Sequence, residues 1–177
     1  MKVGGIGGAN TKTGLIFEGK TDLASFLSIQ KDYSVKNNGK YRDIFYKNGL
    51  VGNIFQKHEL YRYLDSRKVN WRYVLSKKLL PDDSIYVIIN NTAYIIEKKF
   101  QQVAGSVDEK LQTCDFKKKQ YIKLFSLINI DVEYMYLLSD WFKKDEYKDV
   151  RDYIVSVGCH YYFEYIPLQK LGLPVPK

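Results

Sequence analysis

Two cysteines, two histidines, two methionines and two tryptophans are all that this 177-residue chain holds of those four residue types. Cys114 and Cys159 stand alone, without the close spacing of a metal knuckle, and read as thiols of a reducing compartment. His58 and His160 are a hundred residues apart in sequence, which argues against a histidine-rich nuclease centre or a zinc site. With only four prolines there is no Pro-rich linker, and no repeat or low-complexity stretch divides the chain, so residues 1–177 are expected to form a single domain. No apolar run reaches the ~18 residues that a membrane span needs. The start, MKVGGIGGAN, lacks the apolar core of a secretory signal. Those absences lead to the expectation of a cytoplasmic protein without a membrane partner.

What the chain does have is positive charge and tyrosine. Lys and Arg number 28 against 20 Asp and Glu, a formal net charge of +8, which favours a polyanionic partner without requiring one. Hydrophobic residues make up 45% and charged residues 27%, the balance of an ordinary globular protein. The 16 tyrosines suit contacts with phosphates and bases, although most are expected to pack in or beside the core.

Periodicity gives an order of elements. After a glycine-rich opening, Leu15, Ile16, Gly19, Leu23, Phe26 and Leu27 share one face of a helix beginning at Thr13, with Glu18 at its margin. In DIFYKNGLVGNIF, two apolar runs flank Lys47-Asn48-Gly49 and predict a hairpin. KHELYRYLDSRK reads as a helix. From Lys57 to Lys78 there are seven Lys or Arg against Glu59 and Asp65, interleaved with Tyr61, Tyr63, Trp71 and Tyr73. That stretch reads either as a solvated helix with its flank or as a nucleic-acid surface. A second hairpin follows at Pro81–Gln101. A capping box at Ser106 and Glu109 opens a long helix striped by Val107, Leu111, Cys114, Tyr121, Phe125 and Ile128, with Lys118 interrupting. VEYMYLLSD reads as a buried strand, KDEYKDVRDYIVSVG as a helix stopped by Gly158, and CHYYFEYIPL as a last strand. The fold class expected is α/β with an α+β-like order: a central mixed sheet with helices on its faces.

The second hairpin, PDDSIYVIINNTAYIIEKKFQ, poses a chemical question. Taking Asn90-Asn91 as a two-residue turn, cross-strand partners have numbers that sum to 181, so Ser84 faces Glu97 and Asp82 faces Lys99. Alternation then puts Asp82, Ser84, Glu97, Lys99 and Gln101 on one face and Asp83, Lys98 and Phe100 on the other. A four-residue turn keeps that parity, whereas an odd turn selects Asp83 instead. Two carboxylates beside an ammonium offer hard oxygen ligands for Mg2+, and a water on that ion loses its proton more readily and can attack a phosphate. The lysine can position that water and offset charge on the phosphate. A surface hairpin with ordinary charges is the bland alternative.

Pro81-Asp82, fourteen residues, then Glu97-Lys98-Lys99 resembles the PD-(D/E)XK motif of restriction endonucleases and related nucleases. GLIFE is similar to the family's first-helix segment, whose glutamate, here Glu18, often joins the metal site. Gln101 resembles the glutamine often found two residues past the lysine, and IIEKKFQQVAGSVDEKLQT looks like type II restriction enzymes in particular. The likeness spans roughly Gly14 to Tyr165, with specific motifs only from Pro81 to Gln112. It implies a restriction-endonuclease-like core, catalytic Asp82, Glu97 and Lys99 with Glu18 and Gln101 auxiliary, and Mg2+ held by Asp82 and Glu97 (Mn2+ substituting). It also implies double-stranded DNA as partner, a homodimer cutting a palindrome, and a bacterial, phage or viral source. Lys110 and Gln112, on the helix after the motif, are candidates for the DNA backbone, and a solvated face is their alternative. Arg42, Arg62, Arg67 and Arg72 are candidates for base contacts on chemistry alone.

Gly14-Leu-Ile-Phe-Glu-Gly19-Lys20-Thr21 also fits the P-loop pattern letter for letter. A P-loop needs a buried strand before it and small residues within it. Here a polar Asn10-Thr11-Lys12-Thr13 precedes, and Leu15, Ile16 and Phe17 fill the loop, so nucleotide binding is set aside. The sequence therefore leads to a Mg2+-dependent DNA endonuclease, first as a type II restriction enzyme. A structure-selective nuclease of the junction-resolving kind and a non-catalytic DNA-binding protein are the alternatives.

Overall fold

Left-handed backbone at Lys47 and Asn48, with φ of 48° and 65°, makes the first tight turn, and the strands either side, β3 (Arg42–Tyr46) and β4 (Gly49–Phe55), pair from Tyr46 to Gly49. The computed structural model describes residues 16–18, 21–101 and 107–177, with backbone alone at residues 16–18 and at residues 107 and 108. Before the hairpin come β1 (Ile16–Glu18), α1 (Leu23–Ser28) and β2 (Tyr33–Asn37). After it come α2 (Glu59–Ser66), a single 3-10 turn at Trp71–Tyr73, β5 (Asp83–Val87) and β6 (Thr92–Lys99). Then follow α3 (Val107–Leu111), α4 (Cys114–Ser126), β7 (Asp131–Leu138), α5 (Lys148–Ser156), β8 (His160–Phe163) and β9 (Tyr165–Pro167).

Seven strands form one sheet in the order β2-β3-β4-β5-β6-β7-β8, while β1 and β9 pair separately. From β2 to β6 the strands form an antiparallel meander, and β6, β7 and β8 run parallel because helices carry the crossovers. The architecture is α/β, a mixed sheet flanked by helices. No described helix is long and apolar enough to cross a membrane.

Each face of the sheet has its own core. Phe55, Tyr61, Tyr63, Ile95, Tyr121, Tyr134 and Tyr136 pack on one side with α2 and α4. Leu23, Leu27, Ile44, Ile85, Ile96, Met135 and Ile166 pack on the other with α1. Neighbours such as Ile95 and Ile96 divide between the two, as a doubly covered strand requires. Each such fully buried side chain contributes roughly 1.5–3 kcal/mol.

Four elements differ from the sequence expectation. The helix expected from Thr13 begins at Leu23, where the Asp22 carboxylate accepts a hydrogen bond from the Ser25 amide at 3.0 Å, and Ile16–Glu18 is a strand instead. β2 was not foreseen, because its burial pattern is nearly all exposed after Tyr33. The long helix divides at Thr113, whose hydroxyl bonds the Lys110 carbonyl at 2.7 Å and competes with the helical ladder. Ser106 of the capping box lies outside the described residues. The last strand breaks at Glu164, φ 60°, which lets β8 stay in the large sheet while β9 turns to β1. Gly158 ends α5 as expected, with φ 70°.

Behind the hairpin, Asp83 is fully buried and its Oδ2 lies 2.6 Å from Lys98 Nζ. Gln56 donates to its Oδ1 at 3.2 Å, and Lys98 also reaches the Thr21 carbonyl at 3.2 Å. Burial pushes the Asp83 carboxyl above its ordinary range, against the opposing pull of Lys98. Removing one partner leaves the other charge poorly compensated, so Asp83→Ala is expected to cost about 3 kcal/mol in urea unfolding. Asp82→Ala, at a half-exposed neighbour, is expected to cost about 1 kcal/mol or less.

Candidate active site

The turn between β5 and β6 contains four residues, Ile88 to Asn91, since Val87 pairs with Thr92 and Asp83 with Ile96. Partner numbers sum to 179 rather than 181. Parity survives the correction, and the register extended by one residue sets Asp82 opposite Glu97. Asp82, Glu97 and Lys99 thus share one face, and Asp83 and Lys98 the other.

Several contacts hold this end of the hairpin. The Lys98 amide donates to Asp82 Oδ2 at 2.8 Å, and the Lys57 amide donates to the Pro81 carbonyl at 3.3 Å. Lys99 Nζ lies 3.1 Å from Glu97 Oε2 and 3.9 Å from Asp82 Oδ2. Glu97 is only 7% exposed, so a lone charge there would be costly. A second ammonium meets that need: Lys117 Nζ, from the first half of α4, also lies 3.1 Å from Glu97 Oε2. Past the lysine, the Ser139 hydroxyl clamps Gln101, accepting from its amide at 3.1 Å and donating to its carbonyl at 3.2 Å. This fastens the ends of β6 and β7 together.

Three buried phenols belong to the core on this side of the sheet. The Tyr61 hydroxyl donates to the Leu79 carbonyl at 3.0 Å and accepts from the Leu79 amide at 2.7 Å, fixing the chain three residues before Asp82. Burial pushes its phenol up to about 12. The Tyr121 hydroxyl is buried without a hydrogen-bond partner among the described residues, and Tyr134 packs edge-on against Tyr136, ring centroids 5.5 Å apart. Burial pushes the Tyr121 and Tyr134 phenols far up, and the charge on Glu97 adds to the shift, so they face the carboxylate as neutral groups.

Whether these residues suit a metal follows from their free oxygens. Both lysines engage Glu97 Oε2, and the Lys98 amide engages Asp82 Oδ2. Among the described residues no hydrogen bond takes Asp82 Oδ1 or Glu97 Oε1. No described group of three or more His, Cys, Asp or Glu side chains could hold a metal ion. Two carboxylates do not make a zinc site. They do suit Mg2+, which commonly takes one or two carboxylates and completes its shell with water and substrate phosphate.

The other expected site residues scatter. Glu18 ends β1, its backbone opposite Tyr165, and its side chain lies outside the described residues. Gln101 is buried beside Ser139. Lys110 is exposed on α3, its carbonyl accepting from the Tyr136 hydroxyl at 3.2 Å. Gln112 is exposed at a cleft of about 440 Å³ that Asp149, Val150 and Tyr153 also line. Arg62 is exposed on α2, and Arg72 stacks over Trp71 at 4.7 Å. Arg42 is tied to Glu59 at 3.6 Å, and Arg67 lies 5.8 Å over Tyr63. Sequence reasoning missed Lys117 and Tyr121. Their signal was an i, i+4 spacing that puts a cation and a phenol on one helix face.

No family model, curated protein or solved structure matches this chain.

Lys117 competes with a cation for Glu97. Lys117→Ala is therefore expected to tighten Mg2+ binding about threefold to tenfold in calorimetric titration, the equivalent of a ~1 kcal/mol ion pair. Asp82→Ala is expected to weaken the same binding by at least about tenfold.

Proposed function

We propose that the chain is a Mg2+-dependent DNA endonuclease of the PD-(D/E)XK kind. The observation that carries this reading is the meeting of Asp82, Glu97 and Lys99 on one face of the hairpin end, with Lys117 arriving from α4 onto the same carboxylate. It lies at the C-terminal ends of parallel strands, where open α/β sheets commonly take their ligands.

Asp82 and Glu97 would hold the ion through Oδ1 and Oε1. When bound, Mg2+ supplies an acidified water and neutralises charge on the phosphate. Lys99 is the group that orients the attacking water, with its ammonium within reach of both carboxylates. Its charge also offsets the negative charge that grows on the phosphate oxygens in the transition state. Lys117 holds Glu97 in place before the ion arrives, and then offers a second cation to the DNA backbone. Tyr121 and Tyr134 exclude water from the rear of Glu97 and donate no negative charge.

Lys110, Gln112, Arg62 and Arg72 are proposed contacts to DNA, and the net charge of +8 supports a polyanionic substrate. A homodimeric type II restriction enzyme is the first form of this reading, because cutting both strands with one site per chain calls for two chains. Cleavage of long duplex DNA tests it. Wild-type protein with Mg2+ is expected to give discrete fragments, and EDTA to abolish them. Asp82→Ala, Glu97→Ala and Lys99→Ala are each expected to lower the rate by at least about a thousandfold while melting near wild type. No cutting of linear or branched DNA by folded protein would sink the enzyme reading.

A further inference from the structure

The sixteen residues Ser66–Pro81 contain five cations and no carboxylate, and they lead directly into Asp82. Their centre is the 3-10 turn Trp71–Tyr73, held by Asn70, whose side chain accepts from the Arg72 amide at 3.2 Å. Trp71 stands edge-on to Tyr61, ring centroids 5.5 Å apart. Lys78 Nζ sits 4.7 Å over the Tyr61 ring and 5.3 Å over Trp71, and Arg72 covers Trp71 at 4.7 Å. Tyr61 in turn binds Leu79 through both backbone groups. A continuous set of contacts therefore joins this aromatic and basic cluster to the strand that carries Asp82. Next in the turn is Tyr73, 85% exposed, the most exposed of the large hydrophobic side chains described.

We infer that Trp71–Lys78 is a stacking platform for an unpaired nucleic-acid strand next to the cleaved bond. The inference rests on the nuclease reading and names its substrate class. An aromatic ring held out in solvent at a cationic surface stacks on the face of a base, and nearby cations meet the phosphates. Bases inside a duplex have their faces occupied, so such a ring acts on tails, flaps or branches. Arg72, Lys77 and Lys78 supply the cations. This surface selects single-stranded character beside a duplex, and so favours the structure-selective form of the nuclease reading over the restriction enzyme.

The test is fluorescence anisotropy with the full chain in EDTA, so that binding is read without cleavage. The probes are a blunt DNA duplex and the same duplex carrying an unpaired tail. Wild type is expected to bind the tailed probe more tightly. Tyr73→Ala is expected to weaken binding to the tailed probe about tenfold and leave the blunt probe unchanged. Tyr73→Phe, which keeps the ring, is expected to bind as wild type. Because the side chain is so exposed, neither variant carries a folding burden, which circular dichroism checks. Equal affinity for both probes, or a Tyr73→Ala loss equal on both or absent, overturns the platform. Tail binding through Tyr73 without cleavage in Mg2+ upholds the platform and defeats the nuclease reading. Duplex cutting with Tyr73-independent binding does the reverse.

Discussion

Side-chain alternation along β5 and β6 is the constraint on which the candidate site depends. The four-residue turn fixes which of two adjacent aspartates faces Glu97, and the same register sends the other into the opposite core. Asp82 and Lys99 become neighbours of the buried Glu97 carboxylate, while Asp83 and Lys98 become a buried ion pair behind it. Adding one residue to the turn would exchange the two sets. Doublets that look redundant as letters therefore have separate physical roles: one pair binds the hairpin to the rest of the fold, and the other remains available to a ligand.

Close carboxylates repel, yet the buried Glu97 and the half-exposed Asp82 lie across from each other. Two cations and one backbone donor make this tolerable. Lys99 comes from the same strand, Lys117 from α4, and the Lys98 amide from the backbone itself. Behind them, tyrosines join aliphatic side chains on the packed face, and burial keeps Tyr121 and Tyr134 neutral. Among the described residues, Lys99 and Lys117 match the two carboxylates in charge, and one oxygen on each acid stays open.

Much of this was legible in the sequence, and the reasons are local. Alternation and turn residues gave the two hairpins, and an apolar run bounded by polar residues gave β7. Parity of the second hairpin was robust because two-residue and four-residue turns preserve it, so the faces came out right although the register was off by two. Other features were hidden because tertiary contacts decided them. The hydroxyl of Thr113 divides a helix whose apolar stripe runs straight through it. Positive φ at Glu164 bends a strand that reads as continuous. Lys117 shares a helix face with Tyr121 by spacing, but its meeting with Glu97, twenty residues away on β6, is decided by how α4 packs. For β1, a short apolar run next to a glycine fitted a helical face by coincidence.

The break at Thr113 has a mechanical consequence. It gives α4 an axis of its own, seated on β7 through Tyr121, Leu124 and Phe125. Lys99 shares a strand with Glu97, but Lys117 sits on a separate element. A displacement of α4 by a fraction of an ångström changes one contact of the carboxylate and leaves the other intact. The Glu97–Lys117 distance is therefore a gauge of helix position against the sheet, reporting at the carboxylate any strain applied to the far end of α4.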